Sequence, residues 1–291
     1  MNSGSSKRNN SKVQVAFKSA KGKREVLKYY DSLVSMSSTI HEELYIDTGY
    51  GKTFIIASGR TDLPPLILLH GSGMNSVMWI NEMEKYAQNY RVYAVDMPGE
   101  PGKSSEIQLP FTGDDFTNWL HDVFECLSIE KASIVGISLG GWVGAKFSIT
   151  YAQKVDKLVL LCPAGIDPLR KSFMFKSLMY MLLGEKGIDK LYYKINGDKL
   201  IPAVMLQYQK LIASHFNFRK EVIPLFSDDE ILQLTMPVAL FVGGKDVMFH
   251  SEKTAKRLET LLKHAEINLI PDEGHSLVNH GDEIRKFLNQ Q

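Results

Sequence analysis

Three residues whose types could together activate a hydroxyl group stand in order along this chain: Ser138, Asp246 and His275. Ser138 lies in Ile134-Val135-Gly136-Ile137-Ser138-Leu139-Gly140-Gly141, with a glycine two residues away on either side. That spacing reads as a strained turn from a strand into a helix, because only small flanking residues let the chain cross itself so closely. Such a turn presents the hydroxyl at the strand's carboxyl end and aims the free N–H groups of the next helix at whatever reacts there. A serine hydroxyl is a weak nucleophile until a base removes its proton. It therefore calls for a histidine, and the histidine for a carboxylate that fixes its tautomer and stabilises its charged form. Asp246 ends the apolar run Phe241-Val242-Gly243-Gly244-Lys245-Asp246, and His275 ends Pro271-Asp272-Glu273-Gly274-His275.

The rival candidates have structural explanations. Asp228 and Asp229 sit in Ser227-Asp228-Asp229-Glu230, a capping-box pattern. His280 falls at the start of the last helix, and His70 reads as a structural member of its turn. His41, His121, His215, His250 and His264 read as surface or satisfied histidines, and no cluster of His, Asp and Glu has metal-ligand spacing.

The elements that must position the three residues follow from the pattern of apolar runs. Glu42 to Asp47 and Thr53 to Ser58 read as a strand pair joined through Gly49-Tyr50-Gly51. From Pro64 onward strands and helices alternate, which implies parallel strands with crossover helices. Strands are expected at Leu66 to His70, Arg91 to Asp96, Ala132 to Ser138, Val155 to Cys162, Val238 to Gly243 and Ala265 to Ile270. Helices are expected at Ser76 to Gln88, Asp114 to Leu127, Leu139 to Tyr151, Ser251 to Leu262 and Asp282 to Asn289. Each of the three residues then falls just past a strand's carboxyl end, where open parallel sheets build their sites.

The alternation breaks once. Residues 165–235 are rich in Met, Phe, Tyr and Leu with helical spacing, too long for a connection, and read as an inserted helical cap. Residues 41–164 and 236–291 make up the sheet domain, and residues 1–40 a tail and an arm helix that lies across the body or the mouth of the site. Within the tail, residues 1–12 are polar and basic and are expected to be unstructured.

Composition narrows the class. In 291 residues, 44% are hydrophobic and 23% charged with a formal net charge of +1, so no bulk electrostatic case for nucleic acid arises. Cys126 and Cys162 offer neither a zinc spacing nor a disulfide framework and read as buried thiols. Neither a secretory signal nor an apolar run long enough to span a membrane is evident, which makes a reducing, cytoplasmic setting the expectation.

With its Ser, Asp and His each following a strand, the chain resembles the α/β-hydrolase fold family from about residue 41 onward. His70-Gly71-Ser72-Gly73, followed by Trp79, resembles that family's oxyanion loop. The resemblance implies a mostly parallel central sheet flanked by helices, and an oxyanion hole made by the backbone N–H groups of Ser72 and Leu139, with Gly73 the weaker donor candidate. Asp96-Met97-Pro98-Gly99-Glu100-Pro101-Gly102-Lys103-Ser104 resembles the family's D-x-x-G-x-G-x-S loop but carries one additional residue between the glycines. The activity implied is serine hydrolysis of small to medium apolar carboxylic esters through an acyl-enzyme, with no cofactor and no metal. An apolar pocket would be drawn from Gly71, Gly73, Met74, Met97, Trp142, Met174 and Met205, although the cap's methionines and aromatics suit a packing core equally well. The same triad would serve a C–C bond hydrolase of diketones, a thioesterase or a lactonase. A ligand-binding protein on a hydrolase scaffold is the alternative from another class. Serine at 138 argues against the family's epoxide hydrolases and haloalkane dehalogenases, which carry an aspartate there.

Overall fold

The computed structural model describes residues 15–277 and 279–290; the expected unstructured tail at residues 1–12 lies outside them. Among the described residues eight strands form: β1 (Glu42–Thr48), β2 (Gly51–Ser58), β3 (Pro65–Leu69), β4 (Arg91–Val95), β5 (Ala132–Ile137), β6 (Val155–Leu161), β7 (Val238–Gly243) and β8 (Glu266–Ile270). They make one sheet in the order β1-β2-β4-β3-β5-β6-β7-β8. The pairs β1–β2 and β2–β4 are antiparallel and the remaining pairs parallel. The middle strands β5 and β7 are buried at every position, which is why they read as unbroken apolar runs. Edge strand β1 exposes alternate residues and reads as a mixed one.

Among the described residues ten helices accompany the sheet: α1 (Ala20–Ser35), α2 (Met83–Tyr86), α3 (Asp115–Cys126), α4 (Leu139–Thr150), α5 (Lys171–Leu182), α6 (Gly184–Ile195), α7 (Ala203–His215), α8 (Asp228–Ile231), α9 (Ser251–Leu261) and α10 (Gly281–Leu288). Helices α5 to α8 all fall between β6 and β7. Ser227 and Glu230 form a reciprocal capping box at α8.

Two expectations are corrected. The single helix over Ser76 to Gln88 is instead a 3₁₀ turn (Ser76–Trp79) followed by the one-turn helix α2. Val77, Trp79, Ile80, Met83 and Tyr86 are all buried, so the apolar spacing was real. The break follows from two local bonds: the Asn75 side chain accepts from Val77 N–H, and Asp96 Oδ1 accepts from Ser76 N–H at 2.7 Å. The second correction concerns Cys126, which is exposed at the end of α3 and donates its thiol to the Asp47 carbonyl, whereas Cys162 is buried.

Helix α1 packs against α7. Two of its basic neighbours are engaged within the molecule, while Lys21, Arg24 and Lys28 are exposed. Lys18 donates to the Ala213 and Ser214 carbonyls at the C-terminal end of α7, and Lys23 pairs with Glu106 at 2.6 Å. His215 meets Glu25 of the arm helix at 3.0 Å and is a satisfied histidine.

Candidate active site

Ser138 sits between β5 and α4 with φ 53° and ψ −113°, a left-handed conformation that a serine adopts only when its surroundings impose it. Its neighbours impose it. A Cβ on Gly136 would stand 2.3 Å from the Gly140 carbonyl oxygen, and one on Gly140 would stand 2.2 Å from the Leu69 oxygen. Ser138 N–H donates to Leu161 O at 2.9 Å, and its carbonyl accepts from Trp142 and Ala164, so the turn is tied to β6.

Asp246 and His275 come from the loops after β7 and β8. His275 Nδ1 lies 2.8 Å from Asp246 Oδ2, and both side chains are buried. The other carboxylate oxygen, Oδ1, accepts from Met248 N–H at 2.6 Å and Phe249 N–H at 3.1 Å. Burial by itself would raise the Asp246 pKa. The His275 charge and hydrogen bond, with the two amides, outweigh it and hold the carboxyl below its usual range. Asp246 is therefore an anion suited to orient an imidazole. His275 Nε2 is buried without a hydrogen-bond partner among the described residues, which leaves it available to a substrate or nucleophile proton.

Cys162 Sγ lies with the Asp246 and His275 donor atoms within 4.8 Å. Those donors are already engaged with one another. Burial and the neighbouring Asp246 push the Cys162 thiol well above its ordinary range, so it stays protonated. The trio thus fits a charge-orienting pair with a neutral neighbour better than a set of metal ligands.

The loop after β3 faces the same turn. A Cβ on Gly71 would lie 3.6 Å from Ser138 Cβ, so its absence leaves room beside the hydroxyl. The N–H groups of Ser72 and Leu139 donate to nothing among the described residues. Gly73 N–H, by contrast, donates to Glu100 Oε2 at 2.7 Å. His70 holds this loop to the one after β4: its Nδ1 meets Gly71 O at 2.9 Å and its Nε2 accepts from Met97 N–H at 2.9 Å. Burial lowers the His70 pKa, consistent with a neutral ring bridging two backbones.

The expected pocket residues separate. Gly71 stands beside Ser138, Gly73 lies against Phe218, and Met74 is partly buried in the same loop. Met97 is fully buried. Trp142 is also buried, packed edge-on against Phe111 and Phe116, and its indole N–H donates to Pro224 O. Met205 packs on the core, and Met174 is exposed on α5. Two rings take places the sequence reading did not assign: Phe218 closes over Gly73, and Phe249 lies 5.5 Å from the His275 ring.

A buried ion pair was missed as well. Glu100 has no exposed side-chain surface, and its Oε1 lies 3.4 Å from Arg219 Nε. Arg219 also donates to Leu109 O and stacks over Phe111 at 4.8 Å. Burial pushes the Glu100 pKa up to about 7, against the opposing pull of Arg219 and Gly73 N–H. The one available signal was the extra residue between Gly99 and Gly102.

Comparison with known proteins agrees with this geometry. Residues 64–185 match the family model described as the alpha/beta hydrolase fold. Carboxylesterase YbfK of Bacillus subtilis is 30% identical over 270 residues, covering 90% of each chain. A crystal structure of naproxen esterase, also from Bacillus subtilis, has a TM-score of 0.83 at 27% identity and covers 94% of this chain and 100% of that one. The 2-hydroxy-6-oxo-6-(2'-aminophenyl)hexa-2,4-dienoic acid hydrolase of Metapseudomonas resinovorans is 26% identical over 269 residues, covering 87% of this chain and 92% of its own. With its Gly-flanked serine turn, its Asp–His pair and a relative of this identity along nearly its whole length, the chain belongs to the α/β-hydrolase fold family.

Proposed function

We propose that the protein is a serine carboxylesterase acting on small to medium esters with an apolar acyl or alcohol part. Ser138 attacks the ester carbonyl while His275 takes its proton and passes it to the leaving alcohol. Asp246 holds His275 in orientation, and the amides of Ser72 and Leu139 receive the oxyanion. Water, deprotonated by His275, then releases the acid and restores Ser138. The observation that carries the reading is the 2.8 Å contact between His275 and a buried Asp246, on loops neighbouring a serine at φ 53°. The carboxylesterase relative supports the ester class. Phe218 and Phe249 beside the site support an apolar substrate part.

Residues 165–235 act as the cap in this reading, supported by their bonds to the site loops: Arg170 N–H donates to Met248 O, and Ile195 O accepts from His275 N–H, both at 2.8 Å. Two cysteines left as thiols support a reducing, cytoplasmic setting. A second reading, C–C bond hydrolysis, draws on the dienoic acid hydrolase relative. An acyl-chain series of p-nitrophenyl esters tests the first. Wild type is expected to turn over short and medium chains, and Ser138→Ala to lose about 10⁶-fold in kcat. More than a few percent residual turnover in that variant would overturn the assignment, and a dienone cleaved in preference to every ester would favour the second reading.

A further inference from the structure

We propose that the α5–α6 hairpin docks the protein on the surface of an anionic lipid bilayer. Helix α5 has no buried residue. From Met174 to Leu183, seven large apolar side chains are each more than half exposed, among them Phe175, Leu178, Leu182 and Leu183. An apolar patch of this size on a surface helix marks an interaction site. Among the described residues nothing covers it, and the helix is too short to cross a membrane.

Charge selects the occupant. The stretch from Leu169 to Gly184 carries Arg170, Lys171 and Lys176 and no Asp or Glu. On α6 the acidic groups Glu185 and Asp189 both face Lys210 of α7, at 3.9 and 3.0 Å, while Lys186 is exposed. An exposed apolar helix that itself carries cations and no acidic residue, its acidic neighbours being turned toward Lys210, fits a surface that offers hydrocarbon under anionic headgroups. A second copy would bring the same cations face to face, which disfavours self-association through this helix.

The hairpin's position gives the docking a consequence. At the start of α5, Arg170 N–H donates to Met248 O, next to the loop that carries Asp246. At the end of α6, Ile195 O accepts from His275 N–H. A bilayer held by a helix about 18 Å long therefore lies beside those loops. The substrates favoured would be esters dissolved in or projecting from that bilayer, a point that rests on the ester reading, whereas the docking does not.

The test is flotation of the full-length protein with vesicles of phosphatidylcholine alone and of phosphatidylcholine mixed with phosphatidylglycerol, alongside hydrolysis of a water-soluble p-nitrophenyl ester. Wild type is expected to float with the anionic vesicles and far less with the neutral ones. Lys171→Gln and Lys176→Gln should each weaken partition about fivefold, and Phe175→Ser with Leu182→Ser by tenfold or more. Turnover of the soluble ester should be unchanged, since these side chains point into solvent. Absence of flotation, flotation indifferent to all four substitutions, or a concentration-dependent dimer abolished by the Phe175 and Leu182 changes would each overturn the docking. Flotation without ester turnover would leave the docking standing and remove the ester reading instead.

Discussion

The stretch between β6 and β7 meets the rest of the protein in two opposite ways. In its second half, Tyr208 of α7 is buried, stacks on Tyr29 at 5.3 Å and shares a 2.6 Å hydrogen bond with Asn75 in the loop after β3. Ile212 and Phe216 are buried beside it, and Arg219 reaches the buried Glu100, which in turn holds Gly73 N–H. In its first half, α5 buries nothing and α6 buries only Gly187. A run that reads as one insertion is therefore two structures. One half is part of the hydrolase body and fixes the loop beside Ser138, while the other touches the site loops at its ends and presents its length to solvent.

That contrast can be broken by stability measurements. Glu100→Ala should have the largest effect, because it leaves both the Arg219 guanidinium and Gly73 N–H buried without the oxygens that accept from them. A loss of about 3–5 kcal/mol in denaturant unfolding is expected. Arg219→Met should cost less at neutral pH, since Glu100 can take up a proton where arginine cannot give one up.

The pH dependence has a definite sign. Glu100 has a folded pKa of about 7, above its unfolded value near 4.3, so between those values the folded state keeps a proton that the unfolded state has lost. Stability associated with this group is full below pH 4.3 and falls as pH rises through 7, by up to about 3 kcal/mol. Glu100→Gln, which mimics the protonated acid, should lack that decline. Melting curves of both proteins from pH 5 to pH 8, taken on this basis, would check it, and parallel curves would contradict the role given to the buried carboxyl. Tyr208→Phe removes one buried hydrogen bond and should cost about 1 kcal/mol. Phe175→Ser on α5 should stay within about 0.5 kcal/mol of wild type. A cost on α5 equal to that on α7 would erase the distinction between the halves.

What the sequence made legible follows from which forces act locally. The inner parallel strands could be read because they are continuous apolar runs, and the β1–β2 pair because a Gly49-Tyr50-Gly51 turn joins it; starts and ends fell within a residue or two of the expected ones. Asp246 and His275 were legible because each follows such a run, and strand ends converge in a parallel sheet. The Ser76 to Gln88 segment misled because its apolar spacing suits a helix, while the bonds that break it come from Asn75 and from Asp96, twenty residues on. Glu100 and Arg219 were invisible for a related reason. Their pairing spans more than a hundred residues, and no periodicity reports a contact at that separation. Met174 was read as a pocket or core residue because methionine usually is, and α5 is where burial departs from composition.

Whether Ser138 is an activated nucleophile is decided by intact-mass analysis of the protein after exposure to a fluorophosphonate. One adduct per chain is expected, located on Ser138 and absent from Ser138→Ala. No adduct on the folded wild-type protein, or an adduct that persists in Ser138→Ala, would contradict it.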